Sequence, residues 1–109
     1  MYERSRHLFD CHIAGFAYYD GLDALDRLVP GTPVSLVSEP DNPYDPEAVA
    51  IYLEKIKLGY IPKDKNSCIS SLLYFGHGGI IESKISSCNL EEHPEKQFRV
   101  VVKVKDSRN

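Results

Sequence analysis

The stretch Ser38-Glu-Pro-Asp-Asn-Pro-Tyr-Asp-Pro46 limits this chain more than any other. Pro40, Pro43 and Pro46 recur every three residues, each fixing its own φ and pushing its predecessor into extended geometry. Neither a helix nor the interior of a sheet can pass through such a run. Asn42 and Asp45 favour side-chain-to-backbone turns, so the corner is stiff as well as irregular. Directly after it the text alternates: Val49, Ile51 and Leu53 share one parity, and Ala48, Ala50 and Tyr52 the other. This is a rigid corner feeding a strand.

The rest of the chain reads as short strands with two period changes. Phe9, Cys11 and Ile13 share a face on a strand that ends near Gly15. Residues 33–38 form a second strand, and residues 56–62 another, reached by a tight turn at Glu54-Lys55. The segment GGIIESKIS is a further strand. In QFRVVVKVK, Phe98, Val100, Val102 and Val104 face a core while Arg99, Lys103 and Lys105 face solvent. Helical spacing appears at Leu22, Leu25 and Leu28, before Pro30-Gly31, and again at Ile69, Leu72 and Leu73, before Gly76. Asp64 or Asn66 is placed to cap the second helix, expected over 65–75. The expectation is a mainly β fold: a small six-stranded barrel with two α-helices, in a single domain over residues 1–109.

Composition matters chiefly for what it excludes. No apolar run approaches the roughly 20 residues that span a bilayer, and the opening lacks the apolar stretch of a signal peptide. An intracellular, cytoplasmic protein with no membrane role is expected. Cys11, Cys68 and Cys88 are scattered, which fits free thiols in a reducing compartment rather than a disulfide framework. No metal-ligand spacing, phosphate loop or nucleophile motif occurs, so neither an enzyme nor a cofactor is expected. A calcium loop starting at Asp41 fails because Pro43 stands third and no glycine stands sixth.

The net charge is −3, but it is unevenly spread. Residues 10–54 carry nine acids and one base; residues 55–65 carry four lysines and one acid; residues 96–108 carry five bases and one acid. If the two basic segments meet, with Lys63 and Lys65 near the 99–105 face, they form a positive strip. Such a strip can guide an anion but cannot sustain strong non-specific binding to duplex DNA.

Three groups carry candidate chemistry. Tyr18 and Tyr19, adjacent on a strand, point to opposite faces, so one is free to act as a stacking platform. The plain alternative is a sheet tyrosine beside a turn. Tyr44 and Asp45 are held ready by the proline corner. A carboxylate there can accept a hydrogen bond from a hydroxyl but repels phosphate, unless Asp45 only ties the turn. Lys63 and Lys65 stand before a helix, where they can attract phosphate or remain merely solvated.

Together GFAYYDG, LVPGTPVSLVSEPDNPYDPEAVAIY and KLGYIPKDKNSCISSLL, in this order and spacing over about residues 8–75, resemble the HIRAN domain. The resemblance implies an OB- or SH3-like barrel in a stand-alone, bacterial HIRAN-domain protein. It also implies grip on the free 3′ end of single-stranded DNA, as in the domains attached to SNF2-type fork-remodelling ATPases. Tyr18 and Tyr44 would flank the terminal nucleotides, Asp45 would take the 3′ hydroxyl and Lys63 would meet the backbone. A DNA-processing protein is the implied further partner. One departure stands out: the 3′-end-binding version has an arginine before the paired aromatics, where this chain has Ala17. That departure and the negative charge favour the rival reading, a protein-interaction module that has lost DNA binding. A metal nuclease built on Asp41 and Asp45 is a distant third.

Overall fold

The computed structural model describes residues 5–16, 19–93 and 96–105. Its elements are β1 (Ser5–His12), β2 (Pro33–Ser38), β3 (Val49–Leu53), β4 (Ile56–Tyr60), α1 (Ser67–Tyr74), β5 (Ile81–Cys88) and β6 (Phe98–Lys105). A 3-10 helix at Asp20–Arg27 and short 3-10 turns at Lys63–Lys65 and Gly78–Ile80 join them. The fold is mainly β, as the alternating segments require, with the six strands antiparallel in the order β1-β6-β5-β2-β3-β4.

The continuous ladder does not close on itself. Just past the end of β1, Ala14 forms an isolated bridge with Tyr60 of β4, the two exchanging backbone hydrogen bonds of 2.9 Å each. Gly59 makes that approach possible. Its φ is +153°, and a Cβ there would lie 2.4 Å from the Ala14 carbonyl oxygen.

The first of the two expected helices is a 3-10 helix rather than an α-helix. Leu22, Leu25 and Leu28 recur every three residues, which matches the 3.0-residue 3-10 turn at least as well as the α-helical one. Asp20, Asp23 and Asp26, at the same interval, add no α-helical preference. The helix still buries Ala24, and Leu28 just past its end is buried as well. The second is α1, somewhat shorter than expected, with the Lys63–Lys65 turn before it.

The core gathers one face of every strand with Ile69 of α1. Within it Phe16 and Phe98 pack with ring centroids 4.7 Å apart and planes tilted by 46°, and both are about 1% exposed. Along β6, Phe98, Val100 and Val102 are buried as their parity demands.

Three register shifts break the ladders, and one of them shapes the site. Ile51 of β3 faces Gly59, yet Tyr52 faces Lys57, so Leu58 is skipped. This bulge reverses the parity of β4 between Lys57 and Tyr60.

Candidate functional site

Beside the Ala14–Tyr60 junction lies a groove of about 800 Å³. One wall is the proline corner, Glu39 to Asp45; the other holds Tyr19, Tyr60, Ile61 and Lys63. The corner is stiff for the reasons its sequence implies. Asn42 Oδ1 accepts from the backbone N–H groups of Tyr44 (2.8 Å) and Asp45 (3.1 Å), an Asx turn. With its backbone held, Tyr44 projects an aromatic ring that is 89% exposed.

Asp45 is held at both oxygens. Oδ1 accepts from the Glu47 backbone N–H at 2.9 Å, and Oδ2 accepts from the Asn66 side-chain amide at 2.9 Å. The Asn66 amide is the leading cause that holds the Asp45 carboxyl's pKa below the usual Asp range; the Glu47 N–H and the nearby Lys63 charge add to it. Asp45 is therefore an oriented anion at neutral pH. Each oxygen keeps one lone pair for a ligand. Asp45 ties the local turn, and it also lines the groove. Asn66 does stand at the N-cap position of α1, but it makes no side-chain cap bond. Its buried amide is directed at Asp45 instead.

A polar cluster that sequence reasoning missed links residues of the two walls. Tyr60 donates its phenol proton to Glu39 Oε1 (2.8 Å), and Lys57 Nζ donates to Glu39 Oε2 (3.0 Å) and to the Tyr60 oxygen (2.7 Å). Asn42 donates to Glu39 as well, at 3.1 Å. Burial raises the Glu39 carboxyl's proton affinity, yet Tyr60, Asn42 and Lys57 together hold it below the usual range. Burial opposes the charge of Lys57 too, but its bonds to Tyr60 and Glu39 raise its pKa overall. The Tyr19 and Tyr60 rings meet edge-on, 5.6 Å apart. The sequence holds a partial signal for this cluster in GYIP, where Gly59 and Pro62 bracket Tyr60.

Of the residues expected at the site, Tyr19, Tyr44, Asp45 and Lys63 line the groove together. Tyr18 and Ala17 lie outside the described residues. Lys65 is exposed on the neighbouring turn and does not line the groove. The two basic segments do not form one continuous strip. Cys11 feels both Arg99 and Lys65, but Lys105 stands about 20 Å further along the strand from Arg99. The Arg99 charge is also engaged by Asp10. Among the described residues, no group of three His, Cys, Asp or Glu side chains could hold a metal ion, and no helix is long and apolar enough to cross a membrane.

A family model of the HIRAN domain matches residues 7–105. Two solved structures share the fold. A protein from Lactobacillus plantarum superposes with a TM-score of 0.77 at 22% identity, over 92% of this chain and 94% of its own. The HIRAN domain of human HLTF superposes with a TM-score of 0.58 at 18% identity, over 94% of this chain and 81% of its own. No curated protein matches at a comparable level of significance.

Proposed function

The chain belongs to the HIRAN domain family, known for DNA binding, and from that premise we propose that it is a non-catalytic module that holds single-stranded DNA by a free 3′ end. In this reading residues 1–109 act as one such domain in the cytoplasm. The observation that carries it is the oriented carboxylate of Asp45, fixed by Asn66 and the Glu47 N–H on a groove it shares with Tyr44, Tyr19 and Lys63.

The chemistry follows from the positions. An ionised carboxylate only accepts hydrogen bonds, so a terminal hydroxyl suits Asp45 and a terminal phosphate is repelled. Tyr44, exposed on a backbone that is already ordered, offers a ring to a base at little further entropic cost. Lys63 gives an adjacent backbone phosphate its counter-charge. Among the described residues that line the groove, Lys63 is the single basic side chain. Binding is therefore governed by the strand's end and its bases more than by its backbone charge.

Titration with labelled single strands ending in a 3′ hydroxyl or a 3′ phosphate tests this reading. Tighter binding of the hydroxyl end supports it, whereas equal affinity removes the role given to Asp45. One feature favours the rival protein-interaction module: Glu39, Asp41 and Asp45 line the groove against Lys63. A cationic peptide would suit that field, and failure of every oligonucleotide to bind would select it.

A further inference from the structure

We propose that Lys57 is a positioning residue of the groove: it fixes the Tyr19 and Tyr60 rings as one aromatic wall and does not itself contact a ligand's phosphates. What the wall receives rests on the nucleic-acid reading above; how the wall is built does not.

Three observations converge. First, Lys57 has its donors committed. An ammonium carries three N–H groups. Two of them serve Glu39 and Tyr60, and Nζ also lies 4.9 Å from the centroid of the Tyr19 ring and 4.5 Å from that of Tyr60. That is within cation–π range of both rings. Second, its charge is neutralised within the protein. Glu39 lies 3.0 Å away, and both side chains of the pair are about one-quarter exposed. Third, Lys57 is not part of the groove's lining, whereas Tyr19, Tyr60 and Glu39 are.

The strand supports this arrangement. In a regular strand Lys57 and Tyr60 would point to opposite faces. The bulge at Leu58 brings them to the same one, where Lys57 can reach the phenol. Tyr19 comes from a distant part of the chain and meets the pair through Lys57 and the edge of Tyr60. One cation thus holds together two rings brought by separate segments. A wall fixed before binding avoids the cost of ordering two aromatic side chains in the complex.

The test combines Lys57→Met, which keeps the chain length but loses the charge, with Lys57→Arg, which keeps the charge. In the free protein, Lys57→Met should move the ring-proton NMR signals of Tyr19 and Tyr60, and Lys57→Arg should leave them close to wild type. Unmoved rings in Lys57→Met overturn the proposal. With a single-stranded oligonucleotide, Lys57→Met should lower affinity about tenfold. The slope of log affinity against log salt should stay as in wild type. A slope reduced by about 0.7, the value for one lost phosphate contact, overturns the proposal, as does unchanged affinity. If the wild type binds no oligonucleotide, the DNA reading fails, and the ring signals still decide whether Lys57 builds the wall. Should Lys57→Met not fold, Lys57→Gln, which retains a donor for Glu39, takes its place with the same readouts.

Discussion

Lys57 and Tyr60 meet across 2.7 Å, three positions apart on one β-strand, where an unbroken strand would have sent them to opposite faces. The skipped Leu58 turns one toward the other, and Gly59 then allows the strand to approach Ala14 closely enough to bridge. Two adjacent backbone features of β4 therefore set both the Ala14 bridge and the wall of the groove that holds Tyr60.

Gly59→Ala should damage both. The new Cβ meets a backbone carbonyl at 2.4 Å, not the end of a flexible side chain, and the backbone conformation is one that L-residues rarely adopt. We expect a loss of stability well above the roughly 1 kcal/mol of an average substitution. Chemical denaturation, with the midpoint and slope compared to wild type, measures it.

Asp45→Ala should weaken binding to a 3′-hydroxyl end by about 10- to 150-fold, the loss of one charged hydrogen bond. Binding to a 3′-phosphate end should change far less, because repulsion is relieved there. The same substitution leaves the buried Asn66 amide without its acceptor, so thermal stability should also fall. Oligonucleotide titrations run well below the melting temperature keep the two effects apart.

Lys63→Ala should act on the backbone and not on the end. Affinity should drop for both kinds of 3′ terminus alike, and the salt slope should shrink by about 0.7. Titrations at several salt concentrations, starting low where weak phosphate contacts are least screened, give that slope.

Acid should destabilise the fold through three carboxylates. Asp10 is held below the usual range by the Arg99 guanidinium, Asp45 by the Asn66 amide, and Glu39 by Tyr60, Asn42 and Lys57 against the opposing effect of burial. Each binds its proton more readily in the unfolded chain than in the fold. The stabilisation is complete only above about pH 5, where unfolded carboxylates are largely ionised, and is lost as pH falls through the folded values. Melting curves between pH 7 and pH 2 should fall steeply only in the lower part, and Glu39→Gln should flatten part of that fall.

The three cysteines should separate by reactivity. Cys11 is 2% exposed, and burial pushes its thiol up to about 11, whereas Cys68 and Cys88 are exposed. A thiol reagent at pH 8 should modify two sulfurs promptly in the native protein and the third only after denaturant is added.

Much of this is legible in the order of residues. The alternation in β3 and β6 marks a buried and an open face, and local chemistry alone makes the corner from Glu39 to Asp45 rigid. For that reason Tyr44 and Asp45 stand out as a pair. Lys57, Glu39 and Asn66 do not, because each acts through a partner 18 or 21 positions away. Lys57 enters the sequence reading only as one of four lysines in residues 55–65, and Asn66 as a candidate helix cap. The 3-10 helix at Asp20–Arg27 reads equally well as an α-helix, because three leucines at intervals of three suit either helical period.

What the sequence determined by itself is whatever depends on neighbours along the chain: the strand faces, the proline corner, the turn at Glu54 and the stop after α1. Backbone sterics and the two-residue period act over a few residues and need no tertiary context. Only the tertiary structure decided the groove. A bulge with no sequence mark of its own rotated Tyr60 toward Lys57, and sheet order brought Asn66 to Asp45 and Tyr19 to Tyr60. The physical reason is that a hydrogen bond or a ring contact between distant segments depends on where the packed core places their backbones, and that placement is a property of the whole fold.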